Sequence, residues 1–330
     1  MNNTFLGRTG LRISPLVMGT MSFGGDADAA TSEALFRRAL DAGINTFDCA
    51  NVYAKGRSEE LLGRFTQGLR DELVLTTKAY FPMGPGPNQR GASRYHIIQS
   101  VEASLKRMKT DRIDIFFLHR WDDATELEET LRALELLVQS GKIVYPAVSN
   151  FSAWQSMKAL ACAKALGFAP IVATQPMYNL AKRQAEVEIF PMAQSEGLGV
   201  LPYSPLGGGL LSGKYGGQAR PDSGRLVDNA MYTTRYGAEE NFQLAEAFSA
   251  LANEVSLHPV ALAVAWSASH PAVTAPLIGA RNLAQLEPAL AAIEVDMTPE
   301  LRARVSALSR TPPPATDRNE ESSAHNYGSR

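Results

Sequence analysis

Eight short apolar runs recur along this chain, at residues 15–19, 45–49, 73–77, 113–118, 143–148, 171–175, 199–202 and 272–278. Helical patterns separate them, over 32–41, 58–65, 94–108, 126–138, 153–165 and 183–196. In the fourth of these Leu127, Leu131, Leu134 and Val138 recur at helical spacing, which predicts a helix lying on a sheet with its acidic face outward. Strands that alternate with helices pair in parallel, because only a crossover brings the chain back in the same direction. Eight of them predict a closed (β/α)8 TIM barrel, since a doubly wound sheet would use about five or six. No linker rich in Gly, Pro or Ser divides the middle, so residues 1–310 read as one barrel domain. The first residues read as a β-hairpin over 4–13, turning at Gly7-Arg8-Thr9-Gly10. A long loop over 207–239 follows the seventh strand. The C-terminal extension opens with a helix over 299–309 and ends in a Pro-rich, polar tail over 311–330.

The totals narrow the field. A formal charge of −2 and a pI of about 6.3 offer no basic face for nucleic acid. No run of about 18 apolar residues and no basic-then-apolar leader is present, which predicts no membrane partner. Cys49 and Cys162 have neither redox nor zinc spacing, and a reducing cytoplasm is the simplest setting.

In barrels of this kind the reactive groups sit at the C-terminal ends of strands. Asp48, Lys78 and His119 each end an apolar run, and Tyr53 follows Asp48 by five residues. Together they suit protonation of a carbonyl oxygen. A free tyrosine has a pKa of roughly 10, too high for efficient acid–base work near neutrality. An adjacent ammonium lowers it by favouring the phenolate, so Lys78 is expected to tune Tyr53. Asp48 would anchor Lys78, and His119 would position the carbonyl by a hydrogen bond. Cys49, a small residue inside a strand, is expected to be buried rather than nucleophilic.

The segment Phe47-Asp48-Cys49-Ala50-Asn51-Val52-Tyr53 through Ser58-Glu59-Glu60-Leu61-Leu62-Gly63 resembles the aldo-keto reductase family signature. Thr77-Lys78 and Leu118-His119 resemble its lysine and histidine blocks. The resemblance continues through Gly141-Lys142-Ile143, Val148-Ser149-Asn150-Phe151, Gln175, Tyr203-Ser204-Pro205-Leu206 and Ile278-Gly279-Ala280-Arg281, and spans roughly residues 4 to 310. Gly19-Thr20-Met21-Ser22-Phe23-Gly24 and the longer loops look most like the bacterial and potassium-channel-beta-like branch. The resemblance implies reversible hydride transfer between NADPH and an aldehyde or ketone, with Tyr53 as general acid.

No side chain supplies hydride, so a cofactor must. The run Gly207-Gly208-Gly209-Leu210-Leu211-Ser212-Gly213 approaches a dinucleotide fingerprint, but Ser212 stands at the last glycine and the run follows a seventh strand rather than a first. Residues 208–214 imitate a P-loop, yet Tyr215 replaces the hydroxyl residue that would bind magnesium. Backbone N–H groups at such glycines still approach a pyrophosphate closely. By resemblance Ser149, Asn150 and Gln175 would hold the nicotinamide carboxamide, and Tyr203 would stack on its ring. Ser204, Leu206, Gly209 and Lys214 would line the pyrophosphate. Gly279-Ala280-Arg281 is expected to open a helix, where N–H groups favour an anion and Arg281 could fork onto the NADPH 2′-phosphate. Gln285 would lie one turn on, beside adenosine. Pro288 and Ala289 depart from the acidic residue and asparagine that the family commonly places against adenine.

Met21, Phe23, Tyr80, Phe81 and Trp121, with Tyr53, are expected to form an aromatic cup for a small-molecule carbonyl substrate. Asp122 is a candidate hydrogen-bond partner for a hydroxylated one. The rival expectation is an NADPH-binding regulatory subunit of the channel-beta type with little turnover.

Overall fold

A computed structural model describes residues 1–216, 221–222, 224–318 and 320. The chain opens with an antiparallel hairpin, β1 (Thr4–Phe5) and β2 (Arg12–Ile13). Eight parallel strands follow among the described residues: β3 (Val17–Gly19), β4 (Thr46–Asp48), β5 (Val74–Ala79), β6 (Ile113–Leu118), β7 (Ile143–Ser149), β8 (Ala173–Gln175), β9 (Gly199–Val200) and β10 (Leu277–Ile278). They pair in chain order, and β10 returns beside β3. The Leu277 N–H donates to the Pro202 carbonyl at 2.8 Å, so backbone bonds also link the last strand to the segment after β9. The expected (β/α)8 barrel is therefore present.

The helices of the wall are α1 (Ala29–Asp41), α2 (Arg57–Phe65), α3 (Arg94–Met108), α4 (Leu127–Gln139), α5 (Ala153–Leu166) and α6 (Ile189–Glu196). Beyond β9 come α7 (Arg225–Asp228), α8 (Ala230–Tyr236), α9 (Glu239–Glu254) and α10 (Pro259–Ala268), then α11 (Leu283–Leu290) and α12 (Pro299–Ser306) after β10. The expected 183–196 helix is split, with a short 3-10 turn at Gln184–Glu186 before α6. The expected strands at 171–175, 199–202 and 272–278 shorten to β8, β9 and β10. The tail expectation falls outside the described residues at 319 and over 321–330.

Strand periodicity explains the two cores. In β6, Ile115 and Phe117 point into the barrel with Leu6, Ile13 and Leu201, whereas Phe116 and Leu118 pack outward with residues of α3 and α4. Both faces are apolar, as a parallel strand covered on both sides requires. The hairpin closes the bottom, at the N-terminal ends of the strands. Gly7 there has φ +53, and a Cβ would meet the Gly197 oxygen and Gly199 nitrogen at 2.5 Å, so no larger residue fits that seat. Among the described residues no single helix is long and apolar enough to cross a membrane, and the apolar pair α9–α10 is bent by 99°.

One polar contact ties this frame together in the wall. Glu59 of α2 is fully buried, accepts from Thr77 Oγ1 at 2.6 Å, and pairs with Arg107 Nε of α3 at 2.6 Å. Removing the guanidinium leaves a buried carboxylate short of its counter-charge, a change that costs about 3 kcal/mol or more. Arg107→Ala is expected to lower the unfolding free energy by that amount in urea titration. A loss under about 1 kcal/mol would show that Glu59 finds compensation elsewhere.

Candidate active site

The strand ends converge on one cleft of about 1000 Å³. Asp48 is the last residue of β4, Ser149 of β7 and Gln175 of β8, while Lys78 is one short of the end of β5 and His119 one past β6. Parallel register puts Asp48 beside Thr76, one strand over. Lys78 has no exposed side-chain surface, and its Nζ donates to Asp48 Oδ2 at 2.5 Å and to the Cys49 carbonyl at 2.8 Å. The other Asp48 oxygen accepts from Thr76 Oγ1 at 2.7 Å and Gln175 Nε2 at 2.9 Å. Three strands thus hold one carboxylate, and neither Thr76 nor the Gln175–Asp48 bond was foreseen from the sequence. The polar ending Thr76-Thr77-Lys78 of an otherwise apolar strand was the available signal.

Tyr53 opens a short 3-10 turn, Tyr53–Gly56, in which Ala54 and Lys55 take left-handed backbone angles. The turn lays the phenol ring 5.2 Å from Lys78 Nζ and edge-on to His119, with centroids 6.2 Å apart. Phe81 meets the same imidazole edge-on at 4.8 Å. Asp48, Tyr53 and His119 line the cleft, and Lys78 lies behind them.

The electrostatics depart from expectation at Tyr53. Burial, and then the Asp48 carboxylate, push its phenol well above its ordinary value instead of lowering it. The Lys78 ammonium is already engaged by Asp48 and a carbonyl, which offsets its field at the phenol. Tyr53 accordingly holds its proton. Burial, and then Lys78, drive His119 down to about 3, so its ring is neutral at physiological pH. Burial pushes the Cys49 thiol up to about 12, and Cys49 packs against Ser58 as a structural residue.

Every residue expected to hold a dinucleotide lines this cleft: Ser149, Asn150, Gln175, Tyr203, Ser204, Leu206, Gly209, Lys214, Gly279, Arg281 and Gln285. Ser149 Oγ donates to the Gln175 carbonyl at 2.9 Å, and Tyr203 OH donates to Asn150 Oδ1 at 2.7 Å. Gly207, Gly208 and Gly209 all have positive φ, and a Cβ on Gly208 would strike the Tyr232 ring at 2.5 Å. One detail is corrected. Arg281 does not open a helix: α11 begins at Leu283, Asn282 caps it by accepting from the Gln285 N–H at 3.0 Å, and Gln285 accepts from the Arg281 N–H at 3.1 Å. Arg281 thus stands just before the helix rather than in its first turn, and its side chain lines the cleft there. Pro288 and Ala289 line the wall beside Gln285.

The structure brings only part of the expected substrate cup to the cleft. Met21 and Phe81 line the cleft, whereas Phe23 is fully buried against Phe65, with centroids 6.2 Å apart. Tyr80 meets Phe81 edge-on from outside the lining. Trp121 turns away onto Phe151 and Trp154 and donates to Asp123. Asp122 is spent on two loops, accepting from the Ala124 N–H and Thr125 Oγ1 of its own and from the Ala92 N–H of the segment before α3. Further lining comes from α7 and α8, which supply Arg225, Met231, Tyr232 and Arg235. Tyr232 and Tyr236, one turn apart and both buried, were the sequence signal for that helix.

Comparison with known proteins agrees with this geometry. The sequence matches the Aldo/keto reductase family over residues 15–310. It is 41% identical over 316 residues to the uncharacterized oxidoreductase YrpG of Bacillus subtilis, covering 91% of this chain and 94% of that protein. It is 35% identical over 321 residues to a probable voltage-gated potassium channel subunit beta of Oryza sativa subsp. japonica, covering 94% and 98% of the two. Identity to the L-glyceraldehyde 3-phosphate reductase of Escherichia coli is 35% over 300 residues, covering 87% and 86%. Barrel, strand-end chemistry and sequence likeness coincide over nearly the whole chain, which belongs to the aldo/keto reductase family.

Proposed function

We propose that this protein reduces an aldehyde or ketone to an alcohol with NADPH, Tyr53 donating the proton. The observation that carries the reading is the meeting of Asp48, Lys78, Tyr53 and His119 at a cleft of about 1000 Å³ whose lining also holds Gly208 and Gly209 of the glycine run, Lys214 and Arg281. The cofactor fits the residues present. At Gly209 a Cβ would meet only the Lys214 side chain, at 3.8 Å, so the backbone there is open to a ligand; Lys214 and Arg281 supply cations to the same wall, and Tyr203 offers an aromatic face. Bound there, NADPH would supply the hydride. The side chains of the protein do the rest. His119, neutral, orients the carbonyl through a hydrogen bond and stabilises the charge that develops on its oxygen. Tyr53 keeps its proton until that oxygen becomes more basic than a phenolate, then releases it. Lys78 stabilises the phenolate left behind, and Asp48 with Thr76 and Gln175 keeps Lys78 aimed.

A second reading, an NADPH-holding regulatory subunit with little turnover, is favoured by the name of the rice relative. Steady-state NADPH oxidation across a panel of simple aldehydes and ketones separates the two. Continuous consumption is expected in the wild type. Tyr53→Phe is expected to lose about 10²–10⁴-fold in turnover, with NADPH binding retained by tryptophan fluorescence. Turnover close to wild type in that variant would remove Tyr53 from the chemistry, and a wild type limited to one turnover would favour the regulatory reading.

Arg281 carries the choice between cofactors in this reading. A charge-assisted hydrogen bond contributes about 1.5–3 kcal/mol, roughly ten- to a hundredfold in affinity. Arg281→Ala is expected to weaken NADPH by that factor and to leave NADH almost unmoved, since NADH lacks the 2′-phosphate. Both cofactors should be titrated at one fixed salt concentration. Equal losses would mean that Arg281 does not read the phosphate.

A further inference from the structure

The charges around the cleft are unbalanced. Among the described residues its lining includes the cations Arg120, Lys214, Arg225, Arg235 and Arg281, and one carboxylate, Asp48. Asp48 is already taken by Lys78, Thr76 and Gln175. The cations fall into two groups. Burial, then Arg281 and then Arg225, pull the Lys214 ammonium below its usual range, so these three crowd one another where the pyrophosphate and 2′-phosphate are read to lie. Arg225 is also held by Asp26 across the mouth at 3.5 Å.

Arg235 adjoins that group, sharing the Tyr232 ring with Arg225, whose guanidinium lies 5.6 Å from its centroid, and reaches further toward Tyr203. Burial raises the Tyr203 phenol to about 12, and Arg235, the largest opposing influence, draws it down, while Tyr53 also acts on that phenol. Arg235 therefore lies within electrostatic reach of Tyr203, whose OH donates to Asn150 Oδ1 at 2.7 Å, while Asn150 Nδ2 donates to the His119 carbonyl at 3.0 Å. Its position is fixed from below: Tyr232 and Tyr236 bury the inner face of α8, and the Arg235 guanidinium lies 5.5 Å from the Tyr232 ring centroid. Arg120 follows His119 directly and lines the same cleft. Among the described residues neither guanidinium has a carboxylate within 4.0 Å. A half-buried arginine over the Tyr232 ring has lost part of its water, and an anion is the group that would compensate it.

We infer that Arg235, aided by Arg120, is a specificity determinant that selects carbonyl substrates bearing a carboxylate or phosphate away from the reacting carbon. The inference rests on the reductase reading, which it narrows from a general aldehyde or ketone to an anionic one. The apolar surfaces of Met21, Phe81 and Tyr232 would cover the chain between the carbonyl and the anion, while the guanidinium forks onto two of its oxygens.

The test compares matched pairs: succinic semialdehyde against its methyl ester, and glycolaldehyde phosphate against glycolaldehyde. The two pairs separate a carboxylate from a phosphate preference. In the wild type the anionic member of at least one pair is expected to have the higher kcat/KM by about tenfold or more. Arg235→Gln is expected to cut that preference by about ten- to a hundredfold, mainly through KM, with Arg235→Lys recovering part of it. Equal kcat/KM within both pairs in the wild type would overturn the inference and leave the reductase reading standing. So would an Arg235→Gln variant that weakens NADPH binding without changing the preference, since Arg235 would then belong to the cofactor. If no aldehyde is turned over, the reductase reading fails, and calorimetry of succinate and inorganic phosphate binding to the NADPH-loaded protein decides the anion site alone. Loss of either in Arg235→Gln would support that site, and binding of neither to the wild type would overturn it.

Discussion

A lysine ammonium with no solvent contact must be neutralised where it stands, and in this protein the Lys78–Asp48 pair does so at the top of the barrel. Much of the site's geometry follows from it. Asp48 must sit one strand from Lys78, which parallel register guarantees, and its second oxygen must be satisfied, which Thr76 and Gln175 accomplish from β5 and β8. The carboxylate is therefore a knot between three strands as well as a counter-charge. Because Lys78 lies behind the cleft lining, it can shape the environment of Tyr53 and His119 without meeting a ligand itself.

The consequence for acid–base chemistry is a division of labour set by burial. His119 stays neutral because both desolvation and Lys78 oppose its protonation, so it can serve only as a hydrogen-bonding, orienting group. Tyr53 keeps its proton because desolvation and Asp48 both oppose the phenolate. A tyrosine in that state is a reservoir that releases its proton when a stronger base appears beside it. In the proposed reaction Lys78 matters most after release, when the phenolate needs a nearby cation.

Much of the barrel, and the meeting of the strand ends at the candidate site, was legible in the sequence, because both depend on periodicity. Asp48, Lys78 and His119 could be placed at strand ends from the apolar runs that precede them, and parallel pairing brought those ends together. The substrate wall was not legible. Being near a strand end does not fix which way a side chain turns: Phe23 dives into the core, Trp121 folds onto Trp154, and Asp122 caps its own loop. The part of the wall that α8 supplies was hidden in a long insertion whose helix is only seven residues. The direction of the Tyr53 shift was missed for a related reason, since a sequence displays the neighbouring charge but not the loss of water that outweighs it.

The central claim is that Tyr53 remains a protonated acid beside a neutral imidazole, with the buried pair stabilising the charge it leaves. The most direct test is the pH dependence of single-turnover reduction of a neutral aldehyde at saturating NADPH, in the wild type and in Lys78→Met. For the wild type a rate that stays level from about pH 5 to about pH 9 is expected, because neither His119 nor Tyr53 titrates in that window. Lys78→Met is expected to lower the whole curve without bringing a new ionisation into that range. A wild-type rate that falls with a midpoint near pH 7, in either direction, would contradict the account, as would a Lys78→Met protein that is folded and as fast as the wild type.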